Sequence, residues 1–143
     1  MDTDIVLEKS LTIQEVAEYS GLSVHTLRYY EKIGLLDPVG RASSGHRRYD
    51  ASDLNWLAFL IRLRTTGMSI QQMLDFAALR RQGPSSVPQR LALLEEHHQQ
   101  VRAHIQELEG HLAVIEKKII LHRKELCTQA EPCIPIPEKY QIS

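Results

Sequence analysis

The stretch Ser23-Val-His-Thr-Leu-Arg-Tyr-Tyr-Glu-Lys-Ile-Gly-Leu-Leu36 decides how this chain folds. Ser23 has the character of a helix N-cap, its hydroxyl placed to accept an amide of the first turn. Gly34 supplies the left-handed stop after Ile33. Between them, Val24 and Leu27 are spaced to face a core, which leaves His25, Thr26, Tyr29 and Tyr30 on other faces. Arg28 falls near the Val24/Leu27 side, where it either reaches out to a phosphate or pairs with Glu31. Short polar, aromatic and cationic groups of this kind read base edges or grip phosphates in a major groove. Two adjacent tyrosines outside a core would spend their hydroxyls on phosphate oxygens. Ordinary amphipathic packing explains the same spacing equally well.

The neighbours of this helix narrow the choice. Upstream, Thr12-Ile-Gln-Glu15 is a capping box that opens a short helix ending near Ser20-Gly21. Two helices joined by a glycine turn make a helix-turn-helix pattern, and residues 1–10 read as a flexible N-terminus. Downstream, Pro38, Gly40 and Ser43-Ser44-Gly45 break any helix and suit the hairpin of a small wing between Leu35 and Tyr49. That segment carries Arg41, His46, Arg47, Arg48 and Tyr49, cations beside an aromatic that suit DNA backbone contact. Asp50 and Asp53 cap a third helix with Leu54, Leu57 and Ile61 at helical spacing. Ser69-Ile-Gln-Gln72 caps a fourth, with Met73, Leu74, Phe76 and Ala77. Gln82-Gly-Pro-Ser-Ser-Val-Pro88 reads as a linker, so residues 11–82 form one helical unit.

Beyond the linker the pattern becomes heptad. Leu91, Leu94, His98, Val101, Ile105, Leu108, Leu112, Ile115, Ile119, His122 and Leu126 alternate by three and four without a slip. Residues 83–126 therefore predict one long helix, its heptad stretch from Leu91 to Leu126 running roughly 54 Å at 1.5 Å per residue. A stripe that long cannot be buried by four short helices alone. Leu94, Val101, Ile105, Leu108, Leu112, Ile115 and Ile119 predict a coiled-coil homodimer. His98 and His122 lie equally far from Gly110, so an antiparallel pair centred there sets each opposite the other residue of the second copy. A polar seam residue of this kind usually fixes register.

Bulk composition excludes more than it selects. The 143 residues, 43% of them hydrophobic, suffice for one compact domain or an extended helical dimer. The net charge of −1 hides an uneven distribution: residues 24–81 hold nine basic against five acidic residues, between acidic flanks. One local polyanion-binding surface fits that pattern. No apolar run reaches the roughly 18–20 residues of a membrane span, and no signal peptide opens the chain, so a cytoplasmic location is expected. No nucleophile–base pair, carboxylate pair or phosphate-cradling glycine loop points to an enzyme.

Three blocks in order, Leu27-Arg-Tyr-Tyr-Glu31, Ile33-Gly-Leu-Leu-Asp-Pro38 and Gly45-His-Arg-Arg-Tyr49, together with the opening Thr12-Ile-Gln-Glu-Val-Ala17, resemble the MerR family of transcription regulators. The resemblance runs from Leu11 to Leu126. It implies a mainly α fold: a winged helix-turn-helix DNA-binding domain followed by a long antiparallel coiled-coil dimerisation helix. It implies double-stranded promoter DNA as partner, held on a palindrome. It also implies that the DNA is bent and untwisted so that RNA polymerase engages both promoter elements. By resemblance Arg28 and Tyr30, with Arg41, Arg47 and Tyr49 in the wing, are DNA contacts. His46 departs from the family's usual tyrosine.

What such a regulator would sense turns on residues 127–143, a C-terminal tail that is a candidate effector loop. It holds the chain's only cysteines, Cys127 and Cys133. Metal-sensing members of the family place cysteines after the long helix. Two thiolates alone favour a soft monovalent ion over Zn²⁺, with His98 of a second copy as a further ligand. A redox pair and two bystander thiols remain as alternatives, and a permanent disulfide is not expected in a reducing compartment. The long heptad array looks more like members that answer electrophiles or oxidative stress. The competing reading of the whole chain is a coiled-coil adaptor whose helix-turn-helix binds protein rather than DNA.

Overall fold

In the computed structural model, residues 10–37, 48–129 and 137–140 are described. They contain α1 (Ile13–Ser20), α2 (Val24–Ile33), α3 (Ala51–Thr65), α4 (Ile70–Arg81), a 3₁₀ turn (Pro84–Ser86), the long α5 (Val87–Gln129) and a second 3₁₀ turn (Glu138–Tyr140). No strand forms among the described residues. The nearest feature is an isolated antiparallel bridge between Leu11 and Tyr49, closed by amide–carbonyl bonds of 2.7 and 2.8 Å. The expected hairpin of the wing lies at 38–47, outside the described residues.

Local chemistry sets the helix ends. Thr12/Glu15, Asp50/Asp53 and Ser69/Gln72 each form a reciprocal capping box, and Ser23 Oγ accepts the amide of Thr26. Each arrangement satisfies amides that have no carbonyl one turn earlier. Gly34 ends α2 at φ +93°, a conformation disfavoured for any residue with a Cβ. Beyond it the amides of Leu35 and Leu36 both return to Tyr30 O, at 2.9 and 3.2 Å.

The chain divides into two units, Met1–His97 and His98–Ser143. The core of the first unit gathers Val16 of α1, Leu27 of α2, Leu35 and Leu36 beyond it, Leu54, Leu57 and Leu60 of α3, and Met73 and Phe76 of α4. Helix α3 is its axis. Leu54, Trp56, Leu57, Leu60 and Leu63 are all buried, on more than one face, as expected of a helix enclosed by its neighbours. Of Leu54, Leu57 and Ile61, which lie at helical spacing, the first two are buried and Ile61 is half-buried, while Leu60 and Trp56 sit deeper than Ile61.

The segment read as a linker is an ordered corner. Gly83 turns at φ +83° and Pro84–Ser86 form the 3₁₀ turn. Ser86 is buried and its hydroxyl donates at Leu79 O and Gly83 O, while Arg90 Nε donates to Ser86 Oγ at 3.0 Å. Pro88 falls in the first turn of α5, where its missing N–H would have had no helical acceptor. In the second unit α5 carries no comparable burial: Ile105, Leu108, Leu112 and Ile115 remain 49–56% exposed.

Leu27 is fully buried on the core side of α2. Leu27→Ala should lower stability by about 2–5 kcal/mol, read as a reduced urea midpoint with an unchanged m-value. A shift below about 1 kcal/mol would show that the site collapses around the missing side chain.

Candidate nucleic-acid interface

One face of α2 stays open once the core has formed. His25 and Arg28 are exposed, Tyr29 keeps 46% of its surface, and Thr26 is half-buried. The Ser23 hydroxyl donates to Thr26 Oγ1 at 2.9 Å, which fixes the threonine at the N-terminal end of the helix. The face thus presents an imidazole, a hydroxyl, a guanidinium and a phenol within six residues, all groups able to reach phosphate oxygens or base edges.

Three expected contacts are corrected. Tyr30 is 7% exposed and Tyr49 is 1% exposed, so both rings belong to the core. Tyr30 packs beside Tyr29, with ring centroids 6.3 Å apart, but the pair divides between core and surface instead of facing outward together. Adjacent helical positions point about 100° apart, and the apolar face is wide enough to take in the second tyrosine. Arg48 turns inward: its Nε donates to Ser10 Oγ at 3.1 Å and Nη2 to Ser10 O at 2.7 Å. It ties the far end of the wing to the strand-like lead into α1. Arg41, His46 and Arg47 lie outside the described residues.

The near end of the wing is tied by groups that the sequence reading did not single out. Trp56 Nε1 donates to Leu35 O at 2.8 Å in the core. Arg81 donates through Nη2 to Gly34 O and through Nε to Asp37 Oδ1 at 2.8 Å. Arg80 Nη1 donates to Asp37 Oδ2 at 3.1 Å, while its guanidinium lies 4.2 Å from the centroid of the Trp56 ring. The Trp56 ring in turn stacks on Phe76, centroids 6.0 Å apart. The Arg81 hydrogen bond holds the Asp37 carboxyl below its usual range, and the weaker effect of burial opposes it. Burial pushes the Asp53 carboxyl the other way; the backbone amide of Asp50 opposes the rise, while the Asp50 carboxylate adds to it. No periodicity links residues 43 or 44 positions apart, so only their basic and acidic character could have hinted at the Asp37 pairs.

Along α5 the expected seam is continuous. Leu94 and Val101 are half-buried, and Ile105, Leu108, Leu112 and Ile115 are exposed, with Ile119 half-buried. His98 is exposed, while His122 Nδ1 lies 2.7 Å from Lys118 O of its own helix. In the first unit His97 Nε2 meets Thr66 Oγ1 at 2.7 Å. Cys127 lies within the last turns of α5 and is disulfide-bonded, against the expectation that no standing disulfide forms. Cys133 lies outside the described residues. A disulfide sulfur lacks the thiolate charge a soft ion needs, so Cys127 in this state does not fit a metal. Among the described residues no group of three or more His, Cys, Asp or Glu side chains is arranged to hold one.

Two family models match the chain: MerR HTH family regulatory protein over residues 11–75 and MerR, DNA binding over residues 54–118. An HTH-type transcriptional regulator of Haemophilus influenzae is 35% identical over 127 residues, covering 89% of this chain and 94% of its own. Heavy metal-dependent transcription regulator 2 of Rhizobium meliloti is 35% identical over 107 residues, covering 75% and 68% respectively. Among solved structures, HiNmlR, a MerR family regulator lacking the sensor domain, bound to promoter DNA, superposes with a TM-score of 0.77 at 36% identity. That match covers 85% of this chain and 96% of the other. All three are regulators of transcription rather than enzymes.

Asp37 yields a pH test. Its folded pKa lies below the ordinary 3.8, so its contribution to stability is complete above that value and disappears as pH falls through the folded one. Asp37→Asn should lower the urea midpoint slightly at pH 7, and the gap to the parent chain should close below about pH 4. A gap that persists unchanged at pH 2 would show that the carboxylate charge is not what the arginines hold.

Proposed function

The chain belongs to the MerR family of helix-turn-helix transcription regulators, and from that premise we propose that it acts as a homodimer gripping a palindromic promoter and bending it. The observation that carries the reading is the open face of α2, where His25, Thr26, Arg28 and Tyr29 stand clear of a core that is otherwise closed. In this reading α2 enters the major groove. Arg28 and Tyr29 meet phosphates, His25 and Thr26 meet base edges, and Arg41, His46 and Arg47 follow the neighbouring backbone. Arg48, Tyr30 and Tyr49 support the site from beneath.

The second copy is argued from α5. Side chains such as Leu108 and Leu112, more than half exposed in sequence on one stripe, form an apolar surface that soluble chains cover. Taking Leu94 as a d position puts Glu95, Arg102, Glu109, Glu116 and Arg123 at e positions. In an antiparallel pair with His98 opposite the partner's His122, the e positions flank each other about Glu109, so Arg102 falls near the partner's Glu116 and Glu95 near the partner's Arg123. Opposite charges fall together in four such pairs across the dimer, against one like-charge contact where Glu109 meets the partner's Glu109, and the balance favours this register. Two copies of α2 would face successive turns of one duplex, and distortion of the spacer would let RNA polymerase reach both promoter elements. Such a protein works in the cytoplasm, and no helix among the described residues is long and apolar enough to cross a membrane.

For the effector, the disulfide at Cys127 favours oxidation over metal binding. Two thiols, Cys127 and Cys133, lose two protons and two electrons to a peroxide, which leaves as two waters. A soft metal ion on the reduced thiols, aided by the partner's His98, is the second reading; it draws on the heavy metal-dependent relative. Protein titration with peroxide and with Cu(I), read as promoter output from the parent chain and a Cys127→Ser variant, separates the two.

Two results test the core of the proposal. Arg28→Ala should weaken operator binding and reduce the slope of log K against log salt by about one, whereas Arg48→Met should leave the slope unchanged. Salt-independent binding by the parent chain would favour the protein-binding adaptor instead. Leu108→Lys should dissociate the dimer in sedimentation. Arg102→Glu should weaken it, and adding Glu116→Arg should restore it; a double variant weaker than the single one would exclude the antiparallel register.

A further inference from the structure

We propose that Asp37, Arg80 and Arg81 form a positioning latch that holds residues 34–37, where the chain leaves α2, against α4 and so sets how far the bound promoter is bent, rather than how tightly it is held. The inference rests on the reading of the chain as a promoter-bending regulator.

The geometry supports a positioning task. Segment 34–37 is the only covalent path from α2 into the wing. Three consecutive features of it, Gly34 O, Leu35 O and the Asp37 carboxylate, are each taken by a side chain of α3 or α4. Arg81 spans two of them, donating to the carbonyl that ends α2 and to the carboxylate that begins the wing. Only a planar fork with several fixed N–H directions does this with one side chain. Arg80 takes the other carboxylate oxygen while lying on Trp56, so the Asp37 oxygens are aimed from both sides.

The far end of the wing is anchored elsewhere, through Arg48 to Ser10 and through the Leu11–Tyr49 bridge. Its two ends therefore report to different elements: the lead into α1, and the C-terminal end of α4. Helix α4 passes directly into the corner held by Gly83, Ser86 and Arg90, from which α5 starts. The latch thus stands where the pairing helix begins and where the DNA-reading face ends.

Stability alone gives the latch little purpose. Its groups are 31–43% exposed, and exposed ion pairs contribute little to folding. What the latch does fix is the offset between two groups of phosphate contacts on one duplex. A change in that offset alters the path the backbone must follow, and hence the deformation, while the number of contacts is conserved.

The test uses the full chain and a palindromic operator duplex carrying a donor and an acceptor dye at its ends. Asp37→Asn keeps shape and removes charge; Arg81→Lys keeps charge but cannot span Gly34 O and Asp37 together. Both variants should bind within about threefold of the parent affinity with an unchanged salt slope. In the saturated complex, the bend-dependent energy transfer should fall by about half for Asp37→Asn and by less for Arg81→Lys. Asp37→Glu, which retains the carboxylate, should recover part of the transfer. Equal transfer in parent and variants would overturn the latch, as would a loss of affinity above tenfold with the bend retained. A parent chain that binds but leaves the duplex straight would instead overturn the promoter-bending reading beneath it.

Discussion

The hydrogen bond from the Trp56 indole to Leu35 O organises the DNA-reading unit. An indole N–H can only donate, and once buried it must find an acceptor. The carbonyl it finds lies just past the glycine stop of α2, where helical partners have run out. Removing the indole would leave that carbonyl without a partner, a loss of about 1–3 kcal/mol. The same ring stacks on Phe76 of α4, tilts against Phe59 of its own helix and carries Arg80 on its face. One side chain therefore relates the end of α2, the axis of α3 and the last turns of α4. The orientation of the exposed α2 face follows from that relation, because Leu27 and Tyr30 are held in the core it defines.

The two units solve the burial problem differently. The first gathers its buried apolar side chains into one core around α3, with Tyr19, Tyr29, Val87 and Leu91 left exposed. The second keeps its large aliphatic side chains about half exposed along a helix. An isolated helix gains most of its stability from packing of an apolar face, and the exposed stripe of α5 is such a face. This asymmetry suits a regulator in which reading and pairing are separate tasks. The latch of Asp37, Arg80 and Arg81, next to the corner at Ser86, lies where the two tasks would meet.

Much of this was legible because the physics is local. Thr12, Ser23, Asp50 and Ser69 cap helices with amides three residues away, and Gly21 and Gly34 stop them by their own φ. The heptads are a repeat and announce themselves. Residues whose role depends on distant partners were misread. Tyr30 and Tyr49 looked like exposed phenols, and Arg48 looked like a phosphate contact until Ser10, 38 positions away, was seen to hold it. Pro88 looked like a linker residue because a proline in the first helical turn and one in a loop leave the same local signal. The partners of Asp37 and Trp56 are not legible in the sequence, since each acts on a guanidinium or carbonyl far off along the chain.

By itself the sequence determined where the first four helices begin, that the last one is long and striped, and which family pattern the first half carries. Caps, glycine stops and heptads act over three to seven residues, and the chain order alone fixes them. Only the tertiary structure decided which polar groups are tools and which are fasteners. Arg28 and Arg48 have the same chemistry, and so do Tyr29 and Tyr30. A guanidinium or phenol is committed by whichever acceptor or cavity folding brings beside it, and that neighbour is set by packing around α3 rather than by position along the chain.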